Sequence, residues 1–301
     1  MRRTFTASSR TVQISRHLHH QTMATPAPKP APWRAAFVSH VEKLKSPTFT
    51  LSTLHPISSS SSSDSAIKFG PRARTVVYRG MWAALPVNPK NTAELNPEGV
   101  YESDLLTITT DCRMEKIREL FKSQGSEKDA AESGEGGPVE AVFWIEETST
   151  QWRIRGRAIV VGPDIDSEAA SSTREALKQH MRRHSSSSSS SGADGQATWS
   201  FSRELTAHFG NLSPMTRGSF RNPPPGTPLK RDELDPGLGL GQKVENLDDE
   251  IARKNFRVVV VIPEEVDQVD LTDPEEGKRW NYQLRDGGKE TATWEVTELW
   301  P

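Results

Sequence analysis

The sequence predicts a mainly β protein, an antiparallel barrel with a few packed helices. Three observations predict it. Strand-like segments outnumber helical ones, several neighbouring strands are separated only by short turns, and residues 140–161 read as one hairpin turning at 146–150. A doubly wound parallel sheet would need a helix between successive strands instead.

The elements follow in chain order. Pro32 suits a first helical position, and Trp33, Phe37, Val41 and Leu44 recur at helical spacing, which gives one apolar face. Residues 48–54 alternate like a half-buried strand. Further strands are expected at 72–79, 105–110, 140–145, 151–161, 256–262, 280–284 and 293–299, and helices at 113–124, 168–184 and 200–209. The densest apolar run, Val258 to Ile262, fits a buried strand and falls far short of the ~18 residues of a membrane span.

Composition sets the remaining bounds. Only 34% of the 301 residues are hydrophobic, but they cluster. The clusters suffice for one core of roughly 170–200 residues. Residues 24–32 are rich in Pro and Ala and read as an extended linker. Serine runs at 58–63 and 185–191, and a glycine-rich stretch at 126–138, cannot bury apolar surface. They are expected as low-complexity loop insertions near 57–66, 125–138 and 184–197 within a single domain spanning 32–301. Residues 1–31 are excluded from that domain. Arg2, Arg3, Arg10 and Arg16 lie there, and no acidic residue precedes Glu42. This is the composition of a mitochondrial transit peptide, and equally of an ordinary disordered tail or of a stretch upstream of a working start at Met23, so the location is read as cytoplasmic or mitochondrial. The net charge of −2 provides no basic field for nucleic acid, and no membrane association is expected. The single cysteine, Cys112, excludes an internal disulfide and a multi-cysteine zinc site.

Chemistry concentrates in three basic-polar clusters at strand ends. In 71–80, Arg72, Arg74, Val76 and Tyr78 share one face, while Ala73, Thr75, Val77 and Arg79 share the other. A solvated edge strand would read the same way. In 106–116 a strand ends at Thr109 and Thr110, Asp111 is placed to cap the next helix, and Arg113 and Lys116 follow. Helix N–H groups, hydroxyls and cations together make a phosphate cradle; an ordinary capped helix with surface cations is the plainer alternative. In the third cluster Gln151, Arg153, Arg155 and Arg157 alternate with Trp152, Ile154, Gly156 and Ala158, one polar and one core face. A glutamine there can both donate to and accept from a ring edge.

Other chemistries find no motif. No dinucleotide or phosphate-loop glycine pattern and no nucleophile elbow occurs. His180 and His184 have ligand spacing but no third partner in sequence, so no metal site is assigned. Cys112 reads as a small packing residue, with Arg113 beside it able to lower a thiol pKa.

In this order, the clusters resemble the FMN-binding motifs of the pyridoxamine 5'-phosphate oxidase family. The segment from Arg74 through Val76 to Arg79 resembles the family's Arg-Met-Val-Leu-Leu-Lys strand. Thr109-Thr110-Asp111, followed by Met114-Glu115-Lys116, is similar to Tyr-Thr-Asn and Ser-Arg-Lys. Gln151 and Gly156 match the Gln and Gly of a third strand. Arg279, Trp280 and Tyr282, and the closing Trp294, Leu299 and Pro301, are similar to the family's last motifs. An oxidase-like FMN-binding branch is closer, through Pro32-Trp33-Arg34 and through Arg217 and Phe220 before the Pro223–Gly226 turn.

The resemblance implies a split β-barrel homodimer that binds FMN at the subunit interface. It implies that Arg74 and Lys116 hold the phosphate with Thr109 and Thr110, that Arg113 adds charge there, and that Thr75, Val76 and Val77 join the site. Arg79 would approach the phosphate or the ring, and Gln151 and Arg279 would reach the ring. Arg217 would serve substrate. No catalytic base can be named. Two departures stand out. Met114-Glu115 replaces Ser-Arg, and Glu275-Glu276-Gly277-Lys278 stands where the family has Arg-x-His, an unsuitable receptor for a phosphorylated vitamin. The expected function is therefore an FMN-dependent oxidoreductase acting on an unidentified small molecule. The alternative is a non-catalytic FMN-binding protein that has lost its substrate site.

Overall fold

In a computed structural model of the chain, residues 29–57, 68–128, 132–183, 198–229, 235–285 and 293–301 are described. Helix α1 (Arg34–Val41) buries Phe37 and Val41, with Trp33 just ahead of it. Strands β1 (Thr48–Ile57) and β2 (Lys68–Val77) pair antiparallel. After β3 (Tyr101–Ser103) and β4 (Leu106–Asp111) comes helix α2 (Glu115–Ser123). Next is the hairpin of β5 (Gly134–Ile145) and β6 (Thr150–Val161), which turns at Ser149 in the left-handed region. Helix α3 (Ser171–Lys178), strand β7 (Met181–Arg183) and helices α4 (Phe201–Gly210), α5 (Pro214–Gly218) and α6 (Glu250–Asn255) precede the last three strands, β8 (Phe256–Asp270), β9 (Lys278–Arg285) and β10 (Thr293–Leu299). Among these residues no helix is long and apolar enough to cross a membrane.

The strand order is β10-β9-β8-β6-β5-β1-β2, with β4 paired to β8. The chain leaving β2 then bonds to β4. Arg79 N–H donates to Thr107 O, Thr107 N–H to Gly80 O and Trp82 N–H to Leu105 O, each at 2.9 Å. These bonds close a ring through β8, β6, β5, β1, β2 and β4. The first half of β8 lies between β4 and β6; its second half lies between β6 and β9, so β9 and β10 extend beyond the closed part. The fold is the expected split barrel with packed helices.

Alternation along β8 builds two cores. Val259 and Val261 face the barrel interior with Phe49, Leu51, Phe143 and Ile154. Val258, Val260 and Ile262 face a second cluster, where Trp82, Leu205, Phe209 and Phe256 join the strand to α4. A strand buried on both faces reads as a continuous apolar run, as this one does. Within the barrel Phe49 and Phe143 stack at 4.4 Å, and Phe37 meets Phe143 and Trp152 edge-on.

Several boundaries differ from the sequence reading. The glycines of 134–137 are not a loop; they open β5. They are small because α2 packs on that strand: a Cβ on Gly136 would sit 3.0 Å from Leu120 Cβ, and one on Gly137 2.1 Å from Ser123 Oγ. Ala31, assigned to the tail, is buried and donates its N–H to Asp104 at 2.9 Å. The helix expected over 168–184 ends at Lys178, because Met181–Arg183 pairs with β3 and Arg182 binds Asp104. Asp111 does not cap α2. Cys112 N–H still bonds to Asn255 O at 2.8 Å, so the helix starts only at Glu115, and Asp111 takes the Arg113 N–H instead. Helices α5 and α6 and the short β3–β7 pair carry no sequence signal strong enough to have placed them, apart from the acidic start of α6, where Asp249 caps Ala252 N–H. The serine runs and residues 1–28 lie outside the described residues.

Gly156 tests the barrel closure. The β6–β8 register shifts between Arg155 and Gly156, opposite Pro263, and a Cβ on Gly156 would sit 1.8 Å from Ile262 O. Gly156→Ala should lower the unfolding free energy by about 1–3 kcal/mol, read as a lower urea midpoint at unchanged slope. An unaltered midpoint would show that this bulge yields freely.

Candidate functional site

Barrel closure brings two cations to one wall. Arg79 leaves the end of β2 and donates Nε to Thr109 Oγ1 at 3.2 Å. Lys116, in the first turn of α2, donates Nζ to Thr110 Oγ1 at 3.0 Å and is 7% exposed. Among the described residues neither cation has an ion pair. They border a cavity of about 1050 Å³ that is also lined by Thr75, Val76 and Val77. The opposite wall is mostly apolar: Phe220, the prolines 223–225, Leu238 and Leu240. Helix α2 adds the positive end of its dipole at Met114 and Lys116.

The electrostatics leave both cations without a paired carboxylate among the described residues. Burial, then the nearby Arg74 charge, pulls the Lys116 ammonium down to about 8, against Glu119 and Asp111. Burial also lowers Arg79. Both shifts record charge held in place without a carboxylate partner. Asp111 lines the cavity too, but Arg113 neutralises it, with Nε and Nη2 at 2.9 and 2.6 Å from its two oxygens.

The expected site residues divide into groups. Thr75, Val76, Val77, Arg79, Thr109, Thr110 and Lys116 meet in this cavity. Arg74 and Arg113 do not line it. Arg74 donates to Glu119 at 2.5 Å and to Thr53, and Arg113 is held by Asp111. Burial alone would raise the Glu119 carboxyl; hydrogen bonds from Thr53 and Arg74 outweigh it and hold it low. Glu115, which sequence placed beside an anion, is exposed and lies 3.3 Å from His55 instead of lining the cavity.

Gln151 and Arg279 stand elsewhere in the chain, yet together. Across β6, β8 and β9, Gln151 pairs with Val269 and Val269 with Arg279, so both side chains lie on one face of the sheet. Arg279 binds Asp267 at 3.0 Å there. Arg217 is buried over the Phe209 ring in the second core, while its neighbours Thr216 and Ser219 line the cavity. Burial pushes the Cys112 thiol up, so Arg113 does not activate it. His55, Glu115 and Glu119 bring ligand-type atoms within 4.8 Å, but Glu119 already accepts from Thr53, Arg74 and His55. Sequence reasoning missed Leu238 and Leu240 as cavity wall; only the Pro223–Gly226 turn hinted that this stretch mattered.

Comparison with known proteins points the same way. Residues 30–162 match the family model of the pyridoxamine 5'-phosphate oxidase FMN-binding domain. Uncharacterized protein YGR017W of Saccharomyces cerevisiae is 30% identical over 98 residues, 33% of this chain and 33% of that protein. The chain thus matches about a third of that relative's length. A pyridoxamine 5'-phosphate oxidase-related, FMN-binding protein of Nostoc punctiforme superposes with a TM-score of 0.51 at 18% identity, over 91% of this chain and 100% of that one, a likeness of fold. PhzG from Burkholderia lata, in complex with tetrahydrophenazine-1-carboxylic acid, gives 0.41 at 16% identity over 91% and 94%.

The Lys116 shift has a direct consequence. Below about pH 8 the ligand-free protein carries the Lys116 charge, and above it the charge is lost. Sulfate, whose own charge is constant in this range, should therefore bind progressively more weakly as pH rises past about 8, approaching tenfold per pH unit. Lys116→Arg should flatten the profile. Calorimetric titration across pH 6.5–9.5 (~0.5-unit steps, spanning the expected transition) checks both, and a flat wild-type profile would remove Lys116 from the anion site.

Proposed function

We propose that this chain, whose residues 30–162 belong to the FMN-binding domain family of pyridoxamine 5'-phosphate oxidase, is an FMN-dependent oxidoreductase working as a homodimer. The observation that carries the cofactor side is a pair of cations without carboxylate partners, the buried Lys116 and the half-buried Arg79, each bonded to a threonine hydroxyl at the wall of a large cavity. A phosphate dianion supplies the acceptors that they lack. Lys116, Arg79, Thr109 and Thr110 would hold the phosphate. Strand β2 ends the strand order, so alternate N–H and C=O groups along its outer edge have no strand partner; Thr75, Val76 and Val77 offer them to a ring edge. When bound, the flavin supplies hydride or electron transfer at N5. The chain's own residues bind it, orient it against β2 and exclude water with the apolar wall at Phe220 and residues 223–225.

The homodimer reading rests on Gln151 and Arg279. They share a face with Trp144 and Leu299, which are 52% and 40% exposed, and the same row joins all four. That face would bring Gln151 and Arg279 to the cavity of a second copy. Redox catalysis is favoured over mere flavin carriage by the space: the cavity continues past the cation wall to Leu238 and Leu240. The exposed pair Glu275 and Glu276 directs the substrate class away from phosphorylated compounds.

Two measurements test this. Arg79→Met combined with Lys116→Met removes two charge-assisted bonds of about 1.5–3 kcal/mol each. FMN affinity, followed by flavin fluorescence, should fall about 10²–10⁴-fold, while riboflavin, which lacks the phosphate, should change far less. Equal losses for both would discard the phosphate assignment. Anaerobic bleaching of bound flavin by nicotinamide dinucleotides or an organic donor supports the oxidoreductase; reduction by dithionite alone supports a flavin carrier.

A further inference from the structure

A second cavity, of about 490 Å³, opens on the other side of Arg79, which among the described residues is the one that lines both. Its walls come from α1, from residues 78–81 and from the end of α4. Val38, Val41, Leu44, Met81, Leu85 and Leu212 make most of it apolar, and exposed Glu42 and Pro86 mark its rim.

Within this wall sits His208, 1% exposed, its ring stacked on Trp82 at 5.7 Å and 14°. Neither ring nitrogen has a hydrogen-bond partner. The nearby Glu204 carboxylate is 3.8 Å away, and it already accepts from Ala83 N–H and Asn96 Nδ2. A buried polar group left without a partner costs about 1–3 kcal/mol. An imidazole at a cavity wall can recover this from a ligand. Burial, and then the Arg79 charge, keeps the ring neutral, with a pKa near about 3, so it offers one N–H and one acceptor at physiological pH. The charges around the cavity are uneven. Arg34 is spent on Asp104 at 3.0 Å, whereas Arg79 has no ion pair among the described residues.

We infer that this second cavity is a binding site for a small hydrophobic monocarboxylate, held at Arg79 and His208 with its apolar body against Val38, Leu44 and Leu212. The site goes beyond the flavin reading and does not depend on it. Its occupant would touch the same arginine as a phosphate in the first cavity, so the two sites are neighbours across one side chain.

Sodium benzoate is the probe, with benzamide as its neutral counterpart, titrated calorimetrically into the full chain. Saturable benzoate binding is expected at one per chain, at least tenfold tighter than benzamide. His208→Phe keeps the stack on Trp82 and removes the nitrogens; it should weaken benzoate at least tenfold and leave FMN affinity unchanged. Val38→Trp fills the slot from α1 and should abolish binding even if His208→Phe proves unstable. Lys116→Met separates the two sites: it should lose FMN and keep benzoate. No saturable benzoate binding in the wild type, or binding undiminished by either cavity variant, overturns the inference. Failure of FMN to bind, with benzoate behaving as described, overturns the flavin reading alone.

Discussion

Three backbone hydrogen bonds set everything else. They tie residues 79–82 to Leu105 and Thr107 and turn an open sheet into a closed ring. Without them the segment 79–82 that follows β2 would be unpaired and Arg79 a surface arginine. With them, the end of β2 runs beside the end of β4, and the side chains leaving the two strands converge. Thr109 reaches Arg79, and Thr110 reaches Lys116 one helical turn later. The ring also runs through β8, the strand that carries both cores, whose first half pairs with β4.

The charges around the cavity are sorted by who already has a partner. Glu119 is buried and takes Arg74, the Thr53 hydroxyl and His55; Asp111 takes Arg113. The two acids that act on Lys116 are thereby paired, and the arginines that pair with them are withdrawn, while Asp235 lines the far side of the cavity. Lys116 and Arg79 are what remains. Taking a cation out of water without a counter-charge is unfavourable, and burial lowers the pKa of each. The arrangement becomes favourable when an anion enters. The pair formed by Arg74 and Glu119 acts on Lys116 in opposite senses, the guanidinium lowering its pKa and the carboxylate raising it.

Much of this was legible in the sequence because it rests on periodicity. The long strands were expected near their places, except for the opening of β5 and the second half of β8, and the apolar run at Val258 marked a buried strand. The failures have a common cause. The stretch 134–138 looks like a loop by composition, yet glycine there is required by α2 packing on β5, a tertiary fact that no local window contains. Asp111 looks like a cap until Cys112 is seen still bonded to Asn255. Arg74 and Arg113 look like anion ligands because sequence shows cations but not the carboxylates that long-range folding places beside them. The apolar far wall was illegible for the same reason, since residues 220–229 and 235–240 meet β2 and β4 only in three dimensions.

The split between the two groups of site residues carries a geometric argument. The Gln151–Val269–Arg279 row spans two strand spacings, about 10 Å, so those two side chains flank a width comparable to a fused ring system rather than a phosphate. The cation wall has the opposite character: two charges and two hydroxyls close together. A single elongated ligand with an anionic head and a flat polar-edged body needs both surfaces, and in one chain they belong to different parts of the sheet. Trp144 and Leu299, on the same row, leave apolar area exposed where a monomer would gain nothing from it. Two copies related by a two-fold axis would cover that area twice and complete two sites at once, because in such an interface each patch meets its own counterpart. On the homodimer reading proposed above, one surface of a second copy would cover the exposed tryptophan and bring polar side chains to the unpaired cations.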